Sequence, residues 1–178
     1  IMKKFEDYMR VILMQEGGSK FTNDKDDPGG ATKYGISLRF LKGTGSDGDI
    51  DNDGDIDIDD IKKLDETKSN KLYKEYFWNK MNLDLIDNEL LKLHLFSHGV
   101  NAGNSVAVKI LQKILGVTVD GKLGRTTAMV ANAYSNQPKL VQGYASARKV
   151  YYDNIVAKNA TLKKYIKGWY NRVDSTKF

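Results

Sequence analysis

Residues 47–60 hold eight aspartates (Asp47, Asp49, Asp51, Asp53, Asp55, Asp57, Asp59 and Asp60) and no lysine or arginine. Carboxylates that dense repel one another unless a cation sits among them. From Asp49 to Asp60 the order is that of a twelve-residue calcium loop, with acids at positions 1, 3 and 5, Gly54 at position 6, an apolar residue at 8 and an acid at 12. Ca²⁺ takes six to eight oxygens at about 2.3–2.6 Å, and alternate residues of a tight loop can turn inward together. Asp49, Asp51, Asp53 and Asp60 are the expected side-chain ligands, Asp55 offers its carbonyl, and Gly54 permits the sharp turn. The chain holds one such loop, so the reading is a structural Ca²⁺ site that staples an insertion. Position 12 is Asp rather than Glu, as in the loop of dockerin modules, which it resembles.

The second chemical candidate is Glu16, placed before Gly17-Gly18 at the expected end of the first helix. A helix C-terminus disfavours a negative charge, which suits a group that must donate a proton. The loop after it supplies Asp24, Asp26 and Asp27, then Thr32 and Tyr34. One poised Glu with an Asp and a Thr on a following loop suits glycosidic hydrolysis: the Glu protonates the leaving oxygen, the Asp stabilises the oxocarbenium-like state or activates water, and the hydroxyl orients that water. By residue type alone a solvated helix-end glutamate is the more ordinary reading.

Other constellations exclude themselves. His94 and His98 stand four apart, but residue 95 is leucine, so the His-Glu-x-x-His zinc pattern is missing its base and packing or groove lining is the simpler role. There is no cysteine, hence no disulfide and no thiolate chemistry. No nucleophile elbow and no phosphate loop is present. Tyr144, Arg148, Tyr151 and Tyr152 share one helical stripe that could be core, sugar platform or nucleic-acid face.

The elements that must position these groups are helical. In the 178-residue chain, Phe5, Tyr8, Met9, Ile12 and Leu13 recur at spacings of three and four. Glycines at 17–18 stop that helix. Residues 19–35 read as a loop with a short hairpin around Asp27-Pro28-Gly29-Gly30. Helices are expected at 36–43, 58–64, 67–80, 87–102, 104–115, 123–134, 137–157 and 161–173, with Asn104-Ser105, Asp120 and Thr161 as starts and Gly116 as a stop. No strand pattern competes, and the weakest point for a boundary is the Gly/Asn cluster at 97–105. The N-terminal residues are acidic where a secretory segment is apolar, so no signal peptide is expected and Met2 reads as the natural start.

The net charge of +5 conceals an asymmetry: outside the aspartate stretch stand 28 basic residues against 15 acidic ones. Such a surface meets a polyanion, whether nucleic acid, anionic membrane or bacterial wall.

Glu16-Gly17-Gly18 followed by Asp27-Pro28-Gly29-Gly30-Ala31-Thr32-Lys33-Tyr34-Gly35-Ile36 resembles the signature of glycoside hydrolase family 108, lysozyme-like N-acetylmuramidases also described as secretion activators. Tyr73, Tyr76, Phe77 and Trp78 resemble the family's aromatic helix, and Val100-Asn101-Ala102-Gly103 its Val-Asn-x-Gly turn. Leu111-Gln112, Leu115-Gly116-Val117, Asp120-Gly121-Lys122-Leu123-Gly124 and Thr127 are similar to its C-terminal peptidoglycan-binding region. Many relatives carry an Asp after the residue matching Phe96; here it is Ser97.

The resemblance implies a mainly α, lysozyme-like fold with an inserted calcium loop and a helical C-terminal lobe. It would consist of a catalytic region over 2–97 (insertion at 47–64) and a peptidoglycan-binding region over 98–178. It implies cleavage of the β-1,4 bond between N-acetylmuramic acid and N-acetylglucosamine, with Glu16 as proton donor and Thr32 orienting water. Asp27 is the first choice for the second carboxylate, and Asp26 stays open. Tyr34, Trp78 and Asn101 are candidate substrate contacts. The expected partner is bacterial peptidoglycan, met as a monomer in the periplasm or at the wall after release from the cytoplasm. No nucleic acid, membrane insertion or catalytic cofactor is implied. The rival reading is a non-catalytic wall-binding or secretion-accessory protein.

Overall fold

The computed structural model describes residues 2–24 and 29–178. The described residues are mainly helical: α1 (Phe5–Gln15), α2 (Leu38–Lys42), α3 (Ile58–Lys63), α4 (Glu66–Tyr73), α5 (Glu89–Ala102), α6 (Asn104–Leu115), α7 (Arg125–Asn132), α8 (Gln137–Lys158) and α9 (Ile166–Asp174). A π-helical turn, Lys74–Asn79, follows α4 directly, and a 3₁₀ turn, Ala160–Tyr165, precedes α9. The chain divides into two compact units, one of residues 12–73 and one of residues up to Val11 together with 74–178.

The larger unit is built on α5. This helix is apolar nearly all round, and Leu91, Leu93, Leu95 and Phe96 are each fully buried. Asn88 caps it, its side-chain oxygen accepting from the Leu90 and Leu91 amides at 3.0 and 2.9 Å. The helices α6 and α8 pack on it. The glycine-rich junction between α5 and α6 is a sharp corner at Gly103 (φ +103°) inside this unit. The α6 helix ends as its sequence requires, on Gly116 in the left-handed conformation. Phe5, Tyr8, Trp78 and Phe96 form an edge-to-face aromatic cluster, with Trp78 centred 4.7 Å from Tyr8 and 5.4 Å from Phe96.

Beside it lies a buried polar cluster. Arg148 of α8 is fully buried and spends its donors on Ser97 Oγ (3.0 Å), Thr176 Oγ1 (3.1 Å), His94 Nδ1 (2.9 Å) and His98 Nδ1 (3.3 Å). Guanidinium only donates, so both imidazoles accept at Nδ1 and carry their proton on Nε2. Ser97 takes one of its bonds from the arginine. Tyr144 and Tyr152 are buried beside this cluster, so most of the aromatic-basic stripe is core.

Burial first, then the Arg148 charge, push both histidines down from 6.5 to about 3. In the unfolded chain they protonate near 6.5, so stability is complete above that value and is lost as pH falls toward 3. Each histidine gives a slope of up to about 1.4 kcal/mol per pH unit. Urea unfolding should therefore show a loss of about 3 kcal/mol between pH 6.5 and about pH 5. The double variant His94→Gln/His98→Gln should flatten that slope, and an unchanged slope would assign it to other groups.

The smaller unit buries Ile12, Ala31, Ile36, Leu41, Ile61, Leu64, Leu72 and Tyr73. The α1 helix stops where expected: the Glu16 amide still bonds Ile12 O (2.9 Å), and Gly18, at φ +66°, closes on Leu13 O (2.8 Å). Several local expectations need correction. The segment 36–43 is not all helix. Thr32–Lys33 (β1) and Ile36–Ser37 (β2) form an antiparallel hairpin with Lys33 opposite Ile36, and helix starts only at Leu38, capped by Ser37 Oγ on the Phe40 amide at 3.1 Å. Two-residue strands are too short to register as alternation. The short hairpin expected around 27–30 falls partly outside the described residues; the observed hairpin turns at Tyr34-Gly35. Helix α6 starts at Asn104 as expected, just after Gly103, but the other two starts differ: Gly124 precedes α7, and Asn159 caps the 3₁₀ turn. Asp120 instead accepts from Gln112 Nε2 and the Lys122 amide, both at 2.8 Å, fixing the loop before α7.

Candidate functional site

Glu16, Thr32, Tyr34, Gly35 and Tyr73 all lie in the smaller unit. Tyr34 and Gly35 are the two central residues of the hairpin turn, at φ +53° and +73°. This is the type I′ geometry that normally selects Asn-Gly. A tyrosine there costs about 1–2 kcal/mol of backbone strain. The strain is held in place: Tyr73 Oη donates to Tyr34 O at 2.9 Å. Lys33 reaches across to α3, its Nζ donating to Lys62 O (2.8 Å) and Leu64 O (2.7 Å).

The first helix delivers Glu16 to this turn. A Cβ built on Gly35 would lie 2.6 Å from Glu16 Cβ and 2.5 Å from Tyr73 Oη, so only glycine lets the three groups meet. Glu16 is half-buried here. Thr32 pairs with Thr22 through two backbone bonds of 2.9 and 2.8 Å, and its Oγ1 donates to Gly30 O at 3.3 Å. That leaves the hydroxyl lone pairs to accept from a water. Asp26 and Asp27 lie outside the described residues.

The other two substrate candidates belong to the larger unit. Trp78 is buried in the aromatic cluster, 3% exposed, and its indole donates to Asp84 Oδ1 at 2.8 Å. Asn101 is exposed, with Oδ1 accepting from Tyr152 Oη at 2.6 Å.

This unit carries two adjoining clefts, and the first is lined largely by residues of the stretch that resembles a peptidoglycan-binding region: Gln112, Val117, Asp120, Lys122, Gly124 and Thr127. The first has a volume of about 390 Å³; the second, about 500 Å³, is lined by Asn79, Asn82, Asp84 and again Arg125 among others. In the first cleft Thr118, Arg125 and Thr126 are the lining residues outside that stretch, and Arg125 and Thr126 open α7, which has no side-chain cap.

In the aspartate loop, Asp49, Asp51 and Asp53 bring their oxygens within 4.8 Å of one another, as do Asp55, Asp57 and Asp60. Asp57 was not among the expected ligands; it also caps α3 through the Asp59 amide at 2.6 Å. Gly54 takes φ +100°, and Asn52 is left-handed too, at +62°. Asp60 is fully buried, accepting from the Ile50 (2.6 Å), Asp51 (3.3 Å) and Asp57 (2.7 Å) amides. Asp51 Oδ1 is buried with no hydrogen-bond partner among the described residues. Desolvation and then the charges of Asp53, Asp60 and Asp49 push Asp51 above the usual carboxylate range, and Asp53 first and then desolvation do the same to Asp55. An all-oxygen set of this kind could hold a hard divalent cation.

The sequence profile of glycosyl hydrolase 108 matches residues 9–103, bracketing Glu16 and the hairpin. The chain belongs to the glycosyl hydrolase 108 family. A second profile, a predicted peptidoglycan domain, matches residues 106–174 of this hydrolase. Among solved structures it is similar to that titled "Structure of Brucella abortus SagA", at 27% identity and TM-score 0.78, over 97% of this chain and 90% of that one. No curated protein sequence matches it. The two profiles make the chain a glycoside hydrolase directed at peptidoglycan, on the mainly α, lysozyme-like fold. Among the described residues, no helix of this hydrolase is long and apolar enough to cross a membrane.

Proposed function

We propose that this hydrolase is a lysozyme-type N-acetylmuramidase that cleaves the β-1,4 bond between N-acetylmuramic acid and N-acetylglucosamine, with Glu16 as general acid. The observation that supports it best is the meeting of Glu16 with the Tyr34-Gly35 turn, inside the stretch that matches the family. Glu16 protonates the glycosidic oxygen as the bond to the muramic acid anomeric carbon breaks. A second carboxylate, Asp27 or its neighbour Asp26, stabilises the oxocarbenium-like state or activates water, and the free lone pairs of Thr32 Oγ1 hold that water. Tyr34, half-exposed on the strained turn, contacts the sugar.

The region 98–178 holds the wall, and the exposed Lys122 and Arg125 along its clefts suit the carboxylates of peptidoglycan. The aspartate loop holds a structural Ca²⁺: Asp49, Asp51, Asp53, Asp55 and Asp60 supply oxygens, and the orphaned Asp51 Oδ1 gains the partner it lacks among the described residues. The enzyme works in the periplasm or at the wall.

Mass spectrometry of glycan fragments released from purified walls tests the reaction. Muramic acid at reducing ends is the expected product. Anhydro-muramic ends would mean a transglycosylase, free N-acetylglucosamine ends a glucosaminidase, and binding without fragments an accessory protein.

A further inference from the structure

The hairpin turn is strained, pinned and pressed against the stem of the proposed acid, and at Tyr34 itself the pin is Tyr73. Tyr73 is the last residue of α4, distant in sequence from both α1 and the hairpin, and is 1% exposed. Its hydroxyl donates to Tyr34 O at 2.9 Å, the carbonyl of the left-handed tyrosine. The same oxygen lies 2.5 Å from where a Gly35 Cβ would stand, and Glu16 Cβ and Cγ lie 2.6 and 2.8 Å from that point. One phenol therefore touches the turn that Glu16 rests on, at the place where the turn departs furthest from relaxed geometry.

We infer that Tyr73 is a positioning residue for the hydrolytic reaction: its hydroxyl holds the Tyr34-Gly35 turn in its left-handed form, and the turn in turn sets the aim of the Glu16 side chain. This rests on the reading of Glu16 as the acid. A relaxed turn would let the hairpin shift by tenths of an ångström, and a general acid tolerates little misplacement relative to the oxygen it protonates. Of the proposed sugar contacts Tyr34 alone rides on this turn, so the larger part of the effect should fall on turnover rather than on affinity.

The test is Tyr73→Phe, which keeps the ring in the core and removes only the hydroxyl, assayed on soluble uncrosslinked glycan strands. The expected result is a kcat lower by about 10- to 100-fold with KM within about 3-fold and cooperative unfolding retained. A second comparison separates aiming from general loosening, and it also serves should the single variant fold poorly. Glycine is at ease in the left-handed region, so in a Tyr34→Gly background the turn no longer needs pinning. Adding Tyr73→Phe to that background should cost less than about 3-fold in kcat. Unchanged kcat in Tyr73→Phe, or an equal loss in both backgrounds, would overturn the inference. Glu16→Gln run alongside keeps the two readings apart. If Glu16→Gln is inactive while Tyr73→Phe matches wild type, only the positioning role fails; if Glu16→Gln stays active, the acid assignment fails instead.

Discussion

Glu16→Gln should clear bacterial walls about 10²- to 10⁴-fold more slowly than wild type while pelleting with them equally well. The amide has the shape of the carboxyl but cannot give up a proton to a departing sugar oxygen, so the loss belongs to the chemical step. The Cβ and Cγ that fit against Gly35 are unchanged, so the variant should keep the melting temperature of wild type. Turbidity loss, wall co-sedimentation and thermal unfolding on the same preparations read the three quantities separately. A variant retaining more than about a tenth of the activity would remove Glu16 from the mechanism, and equal loss of clearing and binding would point to damage rather than chemistry.

Calcium should be the second large lever. Without a cation, Asp51 and Asp55 sit above their ordinary range because desolvation and neighbouring carboxylates disfavour their charge. A carboxyl raised in the folded state withdraws stability as pH rises through its unfolded value, so at neutral pH the bare loop works against the fold. A bound divalent cation reverses that sign. With calcium at about a thousandfold over its dissociation constant, linkage predicts roughly 4 kcal/mol. For a chain of this size that is roughly 8–16 °C in melting temperature. The loop leads into α3, whose end is tied to the hairpin by Lys33 at Lys62 O and Leu64 O, so chelation should lower activity as well. Calorimetric titration of chelator-treated protein and melting curves with and without calcium measure this. Asp49→Ala/Asp51→Ala should abolish the shift. Absence of both heat and shift in the wild type would retire the metal site.

Helix positions were legible because their signals are local. The three-and-four spacing of Phe5, Tyr8, Met9 and Ile12, the stop at Gly17-Gly18 and the cap at Gly116 each lie within a few residues of the element they define. The hairpin over 32–37 was not legible at its place, because the turn residues pointed to Asp27-Pro28-Gly29-Gly30 instead. Its strands have two residues each, its turn carries Tyr where Asn is customary, and it exists because Tyr73 and Lys33 hold it through contacts 39 and 29 residues away. Asp120 and Thr161 looked like caps because residue type suggests a cap without saying which amide lies within reach.

Residue order alone determined the helical class, the dense acid loop with its glycine at the sixth place, and the candidacy of Glu16. All are matters of spacing along a chain, and periodicity and charge density need no third dimension. Tertiary structure decided which groups meet: that Glu16 rests on the Tyr34-Gly35 turn beside the Tyr73 hydroxyl, that Trp78 spends its ring in the core, and that Ser97 and both histidines surround a buried arginine. Those outcomes depend on packing between segments far apart in sequence, where burial and the cost of leaving a buried polar group unpaired, rather than local preference, select the partner.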